Sequence, residues 1–120
     1  MNHVDRKNVL GTELEHCCYE PKTGWFRDGF CRTESNDRGV HVVCAIMTDD
    51  FLNYSAQCGN DLKSPRGNFP GLKAGDKWCL CISRWEEARK AGVAPKVILE
   101  STHNKALQTV SLPVLRSFEL

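Results

Sequence analysis

The chain has 120 residues, 41% of them apolar and 26% charged, and a formal net charge of +1. That length bounds it to one domain, residues 1–120, able to bury a core without staples. The scattered, balanced charge excludes the basic stripe of a nucleic-acid binder and the acidic tract of a solvating tail.

The opening MNHVDRKNVLG lacks the apolar run of an export signal, and nowhere do about eighteen apolar residues follow one another. A cytoplasmic chain with no membrane and no nucleic-acid partner is expected. Residues 1–8 are polar and expected to fray. Val9 to Tyr19 has no period and reads as an irregular or extended lead-in. Pro21 to Gly24 makes a turn, and Asp28-Gly29 between Trp25-Phe26-Arg27 and Phe30-Cys31-Arg32 is the pairing of a type I′ hairpin, whose central residues need positive φ. Polar Thr33 to Gly39 is a loop.

Val40 to Met47, β-branched and apolar on both faces, is the strongest strand, with Val42, Cys44 and Ile46 on one side and His41, Val43 and Ala45 on the other. Thr48 caps a helix whose first turn carries Asp49 and Asp50, and Gly59 ends it. Residues 60–77, rich in Gly, Pro, Asn and Asp, form a long loop and the best lid candidate. Trp78 to Ile82 is a second strand, and Ser83 with Glu86 reads as a capping box opening a helix over Arg84 to Ala91. Lys96 to Glu100 is a third strand, Ser101 or Thr102 caps another helix, and Ser111 starts a last one with Pro113 in its first turn. The expected fold is α+β: a two-layer sandwich of a mixed β-sheet with helices on one face and an N-terminal hairpin, the alternative being three-layer α/β.

Should the three strands run parallel, the helix starts at Thr48, Ser83-Arg84 and Ser101-Thr102-His103 emerge on one rim, where free backbone N–H groups favour anions. On that rim a helix start can lower the Cys81 thiol pKa, Arg84 adds positive charge, and His103 in a first turn offers a neutral imidazole as base or donor. Cys81 and His103 are therefore the candidate catalytic residues. Arg27, Asp28, Thr48, Asn60, Asp61, Arg84 and Thr102 are the candidate ligand-binding ones. Each has a plain structural reading beside it: Asp28 belongs to its turn, Asn60 and Asp61 follow a helix end, and Cys79 with Cys81 are small buried hydrophobes on one strand face. His41 reads as a satisfied core residue, and Trp78 and Trp85 as core anchors.

Seven cysteines, an odd number without an export signal, are expected as reduced thiols: Cys17, Cys18, Cys31, Cys44, Cys58, Cys79 and Cys81. No CxxC or HExxH occurs, so no metal is expected, with a composite of Cys17, Cys31, Cys79 and Cys81 as the weak alternative.

Through NVLG, PKTGWFRDGFC, TDDFL, GNDL, GLKAGDKWCLCISRW, APKVILESTH and ALQTVSL, in order, the chain resembles the family called domain of unknown function 2237. The resemblance implies a small, mostly bacterial α+β protein with no established activity. Cys18 and Cys58 fall outside the shared pattern, while Arg27, Asp28, Cys31, Asn60, Asp61, Cys79, Cys81, Arg84 and His103 lie within it. The expectation is a small anionic or polar ligand bound at the strand-to-helix edge, with cysteine-dependent chemistry. The alternatives are a protein-interaction or self-associating module, homo-oligomeric and using exposed aromatics such as Phe69, and a zinc-stabilised structural domain. Whether the chain is an enzyme, and which cofactor it uses, is left open.

Overall fold

A computed structural model describes residues 7–18, 23, 28–33, 40–67 and 69–120. Its centre is a two-stranded antiparallel sheet, β1 (His41–Ile46) against β2 (Lys77–Cys81). The run of Val42, Val43, Cys44 and Ala45 is wholly buried, as the branched, two-faced apolar pattern requires. Register pairs His41 with Cys81, Val43 with Leu80, Cys44 with Cys79, Ala45 with Trp78 and Ile46 with Lys77, with a bulge between His41 and Val43. Val40 enters the strand at a φ of 53°.

The free edge of β1 is filled by the segment around Val97. Ile46 N–H donates to the Lys96 carbonyl (3.0 Å) and Ile98 N–H to that of Cys44 (2.9 Å). Val97 in turn bridges Glu119 in the parallel sense, so antiparallel and parallel pairing meet around one strand. The expected third strand is reduced to this bridge, because the chain tightens at once into a 3₁₀ turn, Leu99–Ser101.

Helix α1 (Asp49–Gln57) starts at Thr48, whose hydroxyl accepts from Phe51 N–H at 3.1 Å, and is closed by Gly59 at a φ of 89°. Helix α2 (Ile82–Lys90) begins earlier than the sequence suggests. Cys81 is its N-terminal flanking residue, Ser83 lies inside the first turn, and Glu86 pairs with Arg89, so the expected capping box does not form. A second 3₁₀ segment, Asn104–Gln108, is capped by His103 rather than by Ser101 or Thr102. The last helix, α3 (Leu112–Arg116), follows Ser111 with proline in its first turn, as expected.

The α+β architecture is thus as the sequence implies, with helices on one side of the strand pair. Val43, Ala45, Trp78 and Leu80 share a buried cluster with Phe51 and Leu52 of α1, Ile82, Trp85 and Ala88 of α2, and Leu115 of α3. Trp85 is its largest fully buried member: its ring stands edge-on to Phe118 at 5.2 Å and its indole N–H donates to the Pro95 carbonyl. Cys44 and Cys79 point the other way, into a second cluster with Cys17, Cys31 and Ile98. Of the expected hairpin, residues 25–27 lie outside the described residues. Gly29 has a left-handed φ of 89°, but Asp28 does not share a positive φ, so the two do not make the expected type I′ turn.

The irregular lead-in is tied down. Val9 N–H donates to the Thr102 carbonyl and Glu15 N–H to that of Glu100. Asn8, expected to fray, is 1% exposed: its carboxamide oxygen accepts from Leu10 and Thr12 N–H, and its NH₂ reaches Thr12, Glu13 and Glu100. Short polar side chains favour such local backbone bonding, which replaces regular structure here.

Antiparallel pairing separates the helix openings. Helix α1 opens beyond Ile46, whereas α2 opens beyond Cys81, which pairs with His41 at the other end of β1. The Val97 segment also runs antiparallel to β1, and His103 N–H donates to the Val42 carbonyl, so His103 and Cys81 share an end. The single rim of three openings is therefore corrected to two at one end and Thr48 at the other.

Candidate functional site

The structure gives most of the expected ligand-binding residues local work. Thr48 caps α1. Thr102 is buried, its hydroxyl donating to the Ile98 carbonyl at 2.9 Å while accepting from Cys44 N–H at 3.2 Å, so it fastens two segments together. Arg84 donates to the Cys58 carbonyl and the Glu87 carboxylate, each at 3.3 Å, linking α2 to the end of α1. Asp61 folds back on its own backbone: the Ser64 hydroxyl and the Lys63 amide hold its carboxyl below the usual range. The carbonyl of Asn60 accepts from the Ser55 hydroxyl. One carboxylate oxygen of Asp28 takes both the Nε (2.9 Å) and Nη2 (2.6 Å) of Arg32, and the other accepts from Phe30 N–H. Arg27 lies outside the described residues.

The two candidate catalytic residues share an end of the strand pair. Cys81 is a free, half-buried thiol whose Sγ lies 3.0 Å from the Ser83 hydroxyl. His103 is 5% exposed, and its Nδ1 accepts from Lys105 N–H at 3.0 Å. That nitrogen caps the 3₁₀ segment.

Two constellations emerge, the first sharing Cys17, Cys31 and Cys79 with the weak metal alternative of the sequence. The first is sulfur. Cys17 from the lead-in, Cys31 after the Asp28-Gly29 turn, Cys44 from β1 and Cys79 from β2 meet in one cluster and are each 2% exposed or less. They form two disulfides, Cys17–Cys44 and Cys31–Cys79, with Cα separations of 5.6 and 5.2 Å. The expectation of seven free thiols is overturned for these four: Cys18, Cys58 and Cys81 are the free ones. Among the described residues, the three-sulfur group with metal-like spacing is Cys17, Cys31 and Cys44, whose Sγ atoms all lie within 4.8 Å of one another. Cys81, expected in that set, is not part of it, and Cys44 takes its place. Cys44 was legible only as one member of an alternating strand face, since its pairing with Cys79 depends on a register that strand composition does not encode.

The second is a cavity of about 200 Å³ lined by His41, Leu62, Arg66, Phe69 and Trp78, where the long loop covers the strands. Phe69 stands edge-on to Trp78 with ring centroids 5.3 Å apart, which places it against the core rather than out in solvent. The Arg66 guanidinium sits 6.0 Å from the Phe69 ring centre and donates to the Asp61 carbonyl at 2.7 Å. The loop is held by paired backbone bonds between Arg66 and Phe69 and by Leu72 N–H to the Leu62 carbonyl. Gly71 is required where it stands: at a φ of 81° its missing Cβ would strike the Lys63 carbonyl.

Two other depressions lie elsewhere on the described surface. The hollow of about 540 Å³ beside Tyr54, Glu86, Glu87 and Lys90 is broad and open. The one of about 140 Å³ at Glu13, Leu14, Asp28, Phe30 and Arg32 contains an ion pair that satisfies itself.

Fold and site together define a small α+β domain with a buried sulfur centre and a loop-covered pocket. The chain belongs to the family described as "uncharacterized protein conserved in bacteria (DUF2237)", which it matches over residues 7–119. No curated protein matches it. Membership bears out the resemblance read from the sequence and brings no activity with it. Among the described residues no helix is long and apolar enough to cross a membrane.

Proposed function

We infer that this domain binds a small anionic ligand with a flat apolar body, held between the strand pair and the 60–77 loop. The observation that carries the reading is the lining of the pocket: a permanent cation, Arg66, and an imidazole, His41, stand with two aromatic rings, Phe69 and Trp78. A guanidinium recognises carboxylate or phosphate oxygens, and edge-on rings offer an apolar slot to a planar group. Size limits the guest. At about 200 Å³ the cavity is smaller than the ~300–1,000 Å³ typical of drug-sized ligands, so a single ring bearing one acidic group is the class that fits.

This keeps the anionic ligand expected from the sequence but moves it from the rim of helix openings to the loop. Leu62, Arg66 and Phe69 of the loop act as a wall of the pocket, and Gly71 lets the two arms of the loop approach. Cysteine chemistry at Cys81 is not needed for binding.

Benzoate and its neutral counterpart benzyl alcohol are suitable probes, followed by ¹H–¹⁵N NMR on the side-chain and backbone signals of His41, Phe69 and Trp78. Benzoate should shift these signals saturably. Arg66→Ala should weaken that binding about tenfold or more, the loss of a hydrogen bond to a charged group being worth about 1.5–3 kcal/mol. Equal shifts from both probes, or none from either, would overturn the reading.

A further inference from the structure

The sulfur cluster supports a different function. We propose that Cys17, Cys31, Cys44 and Cys79 form a redox-dependent metal site, holding two disulfides when oxidised and one thiophilic divalent cation, zinc in the first instance, when reduced.

Spacing is the first argument. A tetrahedral zinc–thiolate centre with Zn–S bonds of about 2.3 Å places its sulfurs about 3.8 Å apart. The sulfurs of Cys17, Cys31 and Cys44 already lie within 4.8 Å of one another, and the Cys79 sulfur, outside that group, is joined to it through its bond to Cys31. Converting one arrangement into the other takes side-chain torsions that part each bonded sulfur pair and swing the Cys79 sulfur toward those of Cys17 and Cys44.

The second argument is that the sulfur bonds are not alone in gathering the segments. Cys17 and Cys18 N–H groups both donate to the Gly29 carbonyl, joining the lead-in to the turn before Cys31. Gly29 N–H donates to the Thr23 carbonyl, and the buried Thr23 hydroxyl accepts from Cys79 N–H at 2.7 Å. Ser101 Oγ donates to the His16 carbonyl at 2.8 Å, and the Thr102 hydroxyl accepts from Cys44 N–H. Each of the four ligand segments is thus hydrogen-bonded to another part of the fold or packed in the strand pair. Opening the disulfides leaves four thiols together in a dry place, which is the preorganisation a metal site needs.

The chemistry balances. Each disulfide takes two electrons and two protons from a dithiol reductant, which closes to its own disulfide. Zinc then displaces the four thiol protons, giving a tetrathiolate centre of net charge −2 and four protons released to solvent. In the reducing cytoplasm expected from the sequence the metal form would prevail, and under oxidising conditions the disulfide form.

The test uses the full chain carrying Cys18→Ser, Cys58→Ser and Cys81→Ser, so that only the four central cysteines remain and none is altered. After reduction by dithiothreitol and its removal under nitrogen, cobalt(II) is added and the visible and near-ultraviolet spectrum recorded. One equivalent per chain should produce thiolate-to-cobalt charge-transfer bands and the intense d–d bands of a tetrahedral site, with loss of the signal on adding zinc. The oxidised protein should give none of these bands. Reduced protein whose four thiols all react with a disulfide reagent at the same rate with and without zinc, and which shows no cobalt bands, would overturn the proposal. This result is independent of the benzoate experiment, because no pocket residue takes part.

Discussion

The two faces of the β1–β2 pair are held by different means. One is covered by helices, and its cohesion is non-directional: Phe51, Leu52, Trp85, Ala88 and Leu115 pack on Val43, Ala45, Trp78 and Leu80. The other is covered by chain without helix or regular strand among its described residues, and it is fastened by sulfur and by directed hydrogen bonds. Buried polar side chains follow the same division. Asn8, Thr23, Ser101, Thr102 and His103 all bond to the N-terminal segments or to the strands beneath them, and Ser55 is the buried polar residue on the helix side. Irregular chain buries too little apolar surface to offset its ordering entropy by packing, so it needs discrete fasteners.

The comparison is sharpest when each face is damaged in turn. Trp85→Ala removes the largest fully buried side chain and leaves the Pro95 carbonyl without its donor, so a loss of about 3–5 kcal/mol is expected in urea unfolding. Reduction of one disulfide should cost about 3–4 kcal/mol by loop closure, since the bridged cysteines are 27 and 48 residues apart. The two losses are similar in size but should differ in kind. Trp85→Ala should weaken the whole domain, whereas metal-free reduced protein should loosen the N-terminal face first. Amide exchange in the lead-in should then rise while amides of α2 stay protected. Equal acceleration on both faces would mean that they form one cooperative unit and that the division is only geometric.

A smaller lesion probes one fastener. Thr23→Val keeps the shape but removes the hydroxyl that accepts from Cys79 N–H, leaving that buried donor unpaired. The expected loss is about 1–3 kcal/mol, read as a lowered urea midpoint with an unchanged m-value. A neutral result would show that water or a neighbouring carbonyl takes over the bond.

Legibility in the sequence divides along the same line. The helix face was readable because its signals are local: the branched run of β1, Thr48 before Asp49 and Asp50, Gly59 after the first helix, and Pro113 behind Ser111. The cysteine face was read only as a loose grouping with Cys81 in place of Cys44, because it depends on long-range pairing. Cys44 and Cys79 become neighbours only through the antiparallel register, and Cys17 and Cys31 arrive over connections that have no period. Compartment reasoning then pointed to free thiols, a rule about surroundings that says nothing of which sulfurs meet. Strand direction failed for a similar reason. A connection as long as residues 58–76 permits either sense, and the antiparallel one sent Thr48 to the end away from Cys81 and His103. Ser83 and Glu86 show the limit of a local motif: the four-residue pattern is present, but Cys81 already occupies the flanking position and Arg89 claims the carboxylate.

That Glu86–Arg89 pair gives the smallest expected effect and one confined to the helix face. The Arg89 guanidinium bonds both oxygens of Glu86, at 2.6 and 2.7 Å, and holds its carboxyl below the usual glutamate range against a smaller opposing effect of burial. The sign follows from linkage. A carboxyl whose folded pKa is depressed contributes its stability in full above the unfolded value of about 4.3 and loses it as the pH falls through the folded one. The melting temperature of the wild type should therefore fall between pH 5 and the depressed value more steeply than that of Glu86→Gln, which has no proton to take up there, while the two differ little in slope near neutrality. Because both side chains are partly exposed, added salt should shrink the difference. If the two pH profiles run parallel through the acid range, the pair carries no energetic weight, and α2 owes its stability to the packing of Trp85, Ile82 and Ala88 rather than to its own ion pair.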